Sequence, residues 1–237
     1  MSISSKQLYR GLASLICLMG IISSADAQNY VLKPFSSEFT AYHDNDEVGS
    51  ASLQLERLPD NTFKLNYHSK VSKFFLSDKR YETSVFSITP QGFVPITYEY
   101  VRKGTGRNKH LFVEFKNDER QIKVNEEVKY RWHNELDNQL FRIDLSNKLA
   151  NDSTLITYDF INSRGEKRRY TIEKLKKETL SLPYGELEAF KVKINRETNK
   201  RKTFAWYAPS LNWALVRLQQ FKEDKEQGDM RLSSFEQ

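Results

Sequence analysis

The chain has 237 residues, 38% hydrophobic and 29% charged, with a formal net charge of +6, one cysteine and four histidines. A single cysteine excludes a disulfide framework and a multi-thiolate metal site. The length suffices for one domain to bury a core without covalent staples.

Lys6 and Arg10 precede the apolar run Gly11 to Ile22, which ends in the small-residue sequence Ala25-Asp26-Ala27. This is the order of a cleavable secretory signal peptide. A membrane-spanning helix needs about 20 apolar residues; the run is shorter, and Asp26 closes it. Cys17 follows Leu15 and Ile16 rather than a small residue, so acylation at a lipoprotein cleavage site is not expected. Cleavage after Ala27 predicts residues 1–27 as a removed leader and residues 28–237 as a single cysteine-free domain. The expected location is the periplasm, without a transmembrane segment.

Beyond the leader, apolar and polar residues alternate. Phe63, Leu65 and Tyr67 oppose Lys64, Asn66 and His68; Leu111, Val113 and Phe115 oppose His110, Glu114 and Lys116. Val94, Ile96, Tyr98 and Tyr100 repeat the pattern, as do Phe190, Val192 and Ile194. Each segment reads as a strand with one buried face. The seven glycines of the mature chain all fall between such segments, where positive φ is needed to reverse the chain. About a dozen short strands joined by tight turns predict an all-β antiparallel meander curled into a barrel or half-barrel.

One segment departs from period two. Within 135–149, Leu136, Leu140 and Ile143 share one helical face while Phe141, Leu145 and Leu149 lie opposite. A helix apolar on both sides is enclosed or interrupted, and this one is expected to lie across the opening of the curved sheet.

The stretch from Arg164 to Lys202 holds thirteen Lys or Arg against six Glu. A solvated outer face explains such a run first. Its sharper meaning is contact with anionic envelope lipid or glycan, for which Arg168, Arg169, Lys200, Arg201 and Lys202 are the candidates. Nucleic acid is not an expected partner of an exported protein.

Signatures of catalysis are missing: there is no G-x-S-x-G and no H-E-x-x-H. His43, His68, His110 and His133 lack a second ligand type at zinc spacing, so no metal is expected. Asp44 to Gly49 begins like a calcium loop, but Val48 and Leu55 stand where ligands belong. Gly104-Thr105-Gly106 lacks the third glycine of a dinucleotide site, and no cofactor is expected.

The remaining signal is aromatic. In the stretch Phe204 to Phe221, Trp206, Tyr207 and Trp213 surround Pro209, which disfavours helix at Ala208 and predicts a turn between two strands. One Trp is expected to seal the end of the sheet and the other to face a cavity mouth. With Tyr98, Tyr100 and Trp132, these residues are the candidates for stacking against a lipid or sugar.

LSLPYGELEAFKVKINRE (180–197) followed by KTFAWYAPSLNWALVRLQQF (202–221) resembles the bacterial family catalogued as domain of unknown function 3108. Leu182 stands where that family often has Thr, and Ala214-Leu215 where Leu-Pro is common. PFSSEFTAYHDNDEVGSASLQLE is similar to the family's opening hairpin, and LDNQLFRIDLSNKL to its central helix. The resemblance implies an exported all-β domain and carries no catalytic residue. A looser, architectural likeness is to periplasmic lipoprotein-carrier half-barrels, whose curved sheets are filled by helices. The expected function is a non-catalytic periplasmic binding module for an envelope lipid, glycan or protein. The alternatives are an envelope assembly scaffold and a metal-free enzyme acting on an acidic glycan.

Overall fold

The computed structural model describes residues 31–73, 75–196 and 200–237; the proposed leader and its cleavage site lie outside them. The period-two segments become β1 (Phe35–His43), β2 (Asp46–Arg57), β3 (Phe63–Lys73), β4 (Leu76–Thr89), β5 (Gly92–Gly104), β6 (Lys109–Lys116), β7 (Gln121–Val124) and β8 (Glu127–Arg131). After β9 (Leu136–Asp137) and the helix α1 (Leu140–Ala150) come β10 (Leu155–Ile161), β11 (Lys167–Leu182), β12 (Gly185–Asn195), β13 (Arg201–Ala208), β14 (Ala214–Lys222) and β15 (Lys225–Glu236). The fifteen strands form one sheet in the order 8-7-6-5-4-3-2-1-15-14-13-12-11-10-9. β1 pairs with β15, from Ser36 opposite Glu236 to Tyr42 opposite Asp229, so the two ends of the chain meet in the middle of the sheet. Its free edges are β8 and β9.

The sheet curls without closing into a barrel. Every pairing is antiparallel except β9 with β10, where Leu136 and Asp137 run parallel to Phe160 and Ile161. Side chains span the gap that the backbone leaves. Lys129 Nζ and Tyr130 Oη both donate to the Gly165 carbonyl at 3.1 Å. Lys167 Nζ reaches the Arg131 carbonyl at 2.8 Å and forms an ion pair with Glu135. Gly165 permits this approach: its φ is +70°, and a Cβ there would lie 2.7 Å from Val124 Cγ1. Closing the gap with side chains covers the unpaired edges without strand pairing, one of the ways in which sheets avoid association.

The helix begins later than its apolar pattern suggests. Residues 136 and 137 pair with β10, and Asp137 turns the chain by accepting the N–H groups of Gln139 and Leu140 on Oδ1 at 2.9 and 2.8 Å. These are two of the N–H groups that a helix start leaves without intrahelical partners. Leu140, Phe141, Ile143, Leu145 and Leu149 are all buried, so the two apolar faces reflect enclosure. Each contributes about 1.5–3 kcal/mol relative to exposure. The buried acid of the helix is partnered: Asp144 Oδ2 accepts from Tyr158 Oη at 2.7 Å and pairs with Lys148 at 3.0 Å.

Two apolar clusters result. The larger surrounds α1 and extends from Phe39 and Leu65 to Trp206 and Leu232. The smaller joins Tyr98 and Tyr100 of β5 to Val113, Phe115, Ile122 and Val124, and takes Ile161 from β10 across the gap.

Candidate functional site

Inside the curl, between α1 and the strands β11 to β14, lies a cavity lined among others by Arg142, Tyr170, Arg196, Thr203, Tyr207 and Gln220. Its volume, counted as the space open to water centres, is about 50 Å³. This holds a few waters or one small polyatomic anion, not an acyl chain. A smaller neighbour of about 20 Å³ is lined by Lys33, Phe35, Ser146 and Trp213, and shares Arg142, Tyr207 and Leu215 with the first. These three side chains therefore stand as a partition between two spaces.

Each lining group has a structural reason for its direction. Arg142 belongs to the first turn of an enclosed helix, which turns its side chain toward the interior spaces it lines. Arg196 follows the last residue of β12; its guanidinium donates from Nη2 to Thr203 Oγ1 at 3.1 Å and lies 5.3 Å from the Tyr170 ring centre. Tyr207 and Ala205 share the interior face of β13 by period two, and Leu215 and Leu218 of β14 join them on the lining.

Among the described residues, no carboxylate pairs with Arg142 or Arg196, and Arg196 Nε is buried with no hydrogen-bond partner. Burial pulls the Arg196 guanidinium below its ordinary pKa, with Arg201 and Arg142 adding repulsion and Tyr170 opposing. Burial pushes the Tyr207 phenol up, and Arg142 offsets part of that rise. A half-buried cation without a counter-charge loses hydration that nothing replaces. An anion in the cavity would offset that loss and fill the vacant donor.

The aromatic candidates fall in three places. Tyr207 is on both cavities and Trp213 on the smaller one, where Trp213 stacks on Phe190 with ring centres 5.3 Å apart. Trp206 is on the other face of β13; its Nε1 donates to Glu178 at 2.9 Å, and Lys191 and Arg217 cover its ring. Tyr98 and Tyr100 lie in the second cluster, with Tyr98 Oη donating to the buried Glu82. Trp132 packs at the edge of that cluster and donates to the Glu135 carbonyl at 3.0 Å. The turn between the two strands is a 3-10 segment, Pro209–Leu211, followed by Asn212 and Trp213 at positive φ.

The basic candidates do not gather on the cavity. Arg169 makes a bidentate pair with Asp159 at 2.8 Å, Arg168 pairs with Glu166 and Lys202 with Asp224. Lys200 and Arg201 are exposed at the start of β13. Much of the charge in 164–202 is thus met by carboxylates of neighbouring strands and turns, including Lys177 with Glu188 and Lys174 with Asp152. Arg142, Arg196, Tyr170 and Thr203 were not singled out by the sequence. The available signal was Arg142 itself, a cation in the first turn of a helix apolar on both sides. Among the described residues no three His, Cys, Asp or Glu side chains gather as a metal site, and no helix is long and apolar enough to cross a membrane.

Comparison with curated proteins gives no match. Among solved structures, the chain is similar to a β-barrel-like protein of domain of unknown function DUF1849 from Brucella abortus. The identity is 8%, the TM-score 0.60, and 86% of this chain and 98% of that chain are covered. It is also aligned with a Bacteroides fragilis protein of YmcC-like fold at 12% identity and a TM-score of 0.33, covering 87% and 97% of the two chains. The first likeness establishes a shared barrel-like fold. The model of a protein family of unknown function, DUF3108, matches residues 38–231, and the chain belongs to that family.

Proposed function

We propose that the protein is a non-catalytic periplasmic binding module that holds the anionic group of an envelope ligand between Arg142 and Arg196. One observation carries this: two guanidiniums that no carboxylate among the described residues pairs with line one interior cavity, and one of them has a buried, unpartnered Nε. Guanidinium matches carboxylate, phosphate and sulfate in both charge and donor geometry. Tyr170, Thr203 and Tyr207 add aromatic and polar lining. The signal peptide expected over residues 1–27 supports a periplasmic ligand, such as a lipid headgroup phosphate or a uronate carboxylate. Acid-base chemistry is less well supported than binding, because burial raises Tyr207, the tyrosine shared by both cavities, away from the range in which a phenol serves as a base.

The test is native mass spectrometry of the protein recovered from its own periplasm, beside Arg142→Met and Arg196→Met variants. A retained anionic species on the wild type, absent from both variants, is the expected result. A bare wild-type mass, or an adduct indifferent to both substitutions, would overturn the assignment.

A further inference from the structure

The hairpin β3–β4 ends in an apolar tip. Phe75 is 98% exposed and its neighbour Leu76 66%. A lone exposed apolar side chain is ordinary, but Phe75 lies in the hairpin reversal itself, where Gly, Asn and Asp are the usual residues, and Leu76 opens β4 beside it. Other reversals in the molecule follow the usual chemistry: Asp44-Asn45, Asn125-Glu126 and Glu223-Asp224 all sit at positive φ.

The next loop is fastened to this tip. Thr105 N–H donates to the Ser77 carbonyl and Ser77 N–H to Thr105 Oγ1, both at 2.9 Å. Gly104 makes the approach possible, since a Cβ there would lie 2.0 Å from the Ser77 carbonyl oxygen. Two basic segments are thereby brought side by side. Residues 70–80 and 102–110 together hold eight Lys or Arg against one acidic residue, Asp78, which is already shared by Arg80 and Arg102. Lys70, Arg80, Lys103, Arg107 and Lys109 are exposed. On the far side of β3, the acidic β1–β2 reversal with Asp44, Asp46 and Glu47 bounds this surface, so the basic face leans toward β4, β5 and β6.

We propose that this end of the sheet docks on an anionic lipid surface, with Phe75 and Leu76 entering the acyl boundary and the surrounding lysines and arginines meeting headgroup phosphates. Apolar side chains projecting from a basic surround are what interfacial binding requires. A specific protein partner is the poorer fit, because it needs about 800 Å² of matched surface on each side, and two side chains on one hairpin offer far less. The docking surface lies outside the two-arginine cavity and does not depend on it.

Co-sedimentation of the full protein with phosphatidylcholine vesicles and with phosphatidylcholine–phosphatidylglycerol vesicles tests the proposal. Binding to the anionic vesicles alone, weakened by added salt, is expected. Phe75→Ser/Leu76→Ser should lower the partition coefficient about tenfold or more, and Lys103→Glu/Arg107→Glu should lower it comparably. All four positions are exposed, so the circular dichroism spectrum of each variant should match the wild type. A Phe75→Trp variant should show indole fluorescence quenched by brominated acyl chains. Failure to pellet with either vesicle, equal pelleting with neutral lipid, pelleting indifferent to the tip substitutions, or indole fluorescence that brominated lipid leaves unchanged would each overturn it.

Discussion

Ser84 of β4 and Asp137 of β9 meet across the gap in the sheet, with Ser84 Oγ donating to Asp137 Oδ1 at 2.7 Å. The same oxygen accepts the two N–H groups at the start of α1, so a single atom both ties the free edge and sets the helix. The other carboxylate oxygen, Oδ2, is buried with no partner. Beside it, Glu82 accepts from Tyr98 and Asn138, giving the seam a second buried acid.

Burial raises Asp137 from its ordinary 3.8 to about 6, against the lowering effect of its hydrogen bonds from Ser84, Leu140 and Gln139. Between these two values the native protein holds a proton that the unfolded chain has released. Stability therefore falls as pH rises through that window, and above it the ionised carboxylate costs on the order of 3 kcal/mol. Asp137→Asn keeps the Oδ1 acceptor and replaces an unpartnered half-charge by a neutral amide, which is cheaper to bury. Urea unfolding of this variant should lose the wild-type slope between about pH 4 and pH 6 and should equal or exceed wild-type stability at neutral pH. A slope that survives the substitution would place the titration on another group.

Trp206 is 2% exposed and is covered on its face of β13 by Lys191, Arg217 and Glu178. Trp206→Ala should cost about 3–5 kcal/mol in urea unfolding, as large core truncations do. Trp206→Phe should cost less, since it keeps most of the apolar volume and loses only the bond to Glu178. An alanine variant as stable as the wild type would show that the ring is not core.

The strands were legible because one buried face imposes period two on each of them, from Phe63-Leu65-Tyr67 to Phe190-Val192-Ile194. The start of α1 was not, because Leu136 fits a helical stripe as well as it fits β9. Only the distant partners Phe160 and Ile161 decide the matter. The basic run 164–202 could be counted but not interpreted, since its neutralisation depends on Asp159 of β10 and on Asp152 and Asp224 of two turns. The three tryptophans are few enough to flag, which is why Trp206 and Trp213, with the adjacent Tyr207, stood out. Two arginines among 37 basic residues are not, and what distinguishes Arg142 and Arg196 is that no carboxylate among the described residues pairs with them, which only the fold reveals.

Gly104 and Gly92 separate two effects of glycine. Both have positive φ, at +144° and +122°, but a Cβ on Gly92 would meet nothing within 4 Å, whereas one on Gly104 would strike the Ser77 carbonyl. Gly92→Ala should cost about 1–3 kcal/mol from backbone strain alone. Gly104→Ala should cost more, by the amount needed to part the β5–β6 loop from the β3–β4 tip. Equal midpoints for the two variants in thermal unfolding would show that the contact with Ser77 contributes nothing.

The two-arginine cavity makes a prediction about stability that does not require the natural ligand. A ligand that binds only the folded state stabilises it in proportion to the logarithm of its concentration over Kd, about 2.7 kcal/mol at a hundredfold excess. Phosphate, sulfate and citrate at constant ionic strength should therefore raise the wild-type melting temperature relative to chloride. Arg196→Met removes a half-buried cation whose buried Nε lacks a partner and replaces it with an apolar chain of similar length, so in chloride the variant should melt at or above the wild type. In phosphate the order should reverse, because the variant gains nothing from the anion. A wild type indifferent to all three anions, or a variant that responds to them equally, would show that the guanidinium pair is not an anion site. An Arg196→Met variant that melts far below the wild type in chloride would instead assign Arg196 to holding Thr203 and Tyr170 in place.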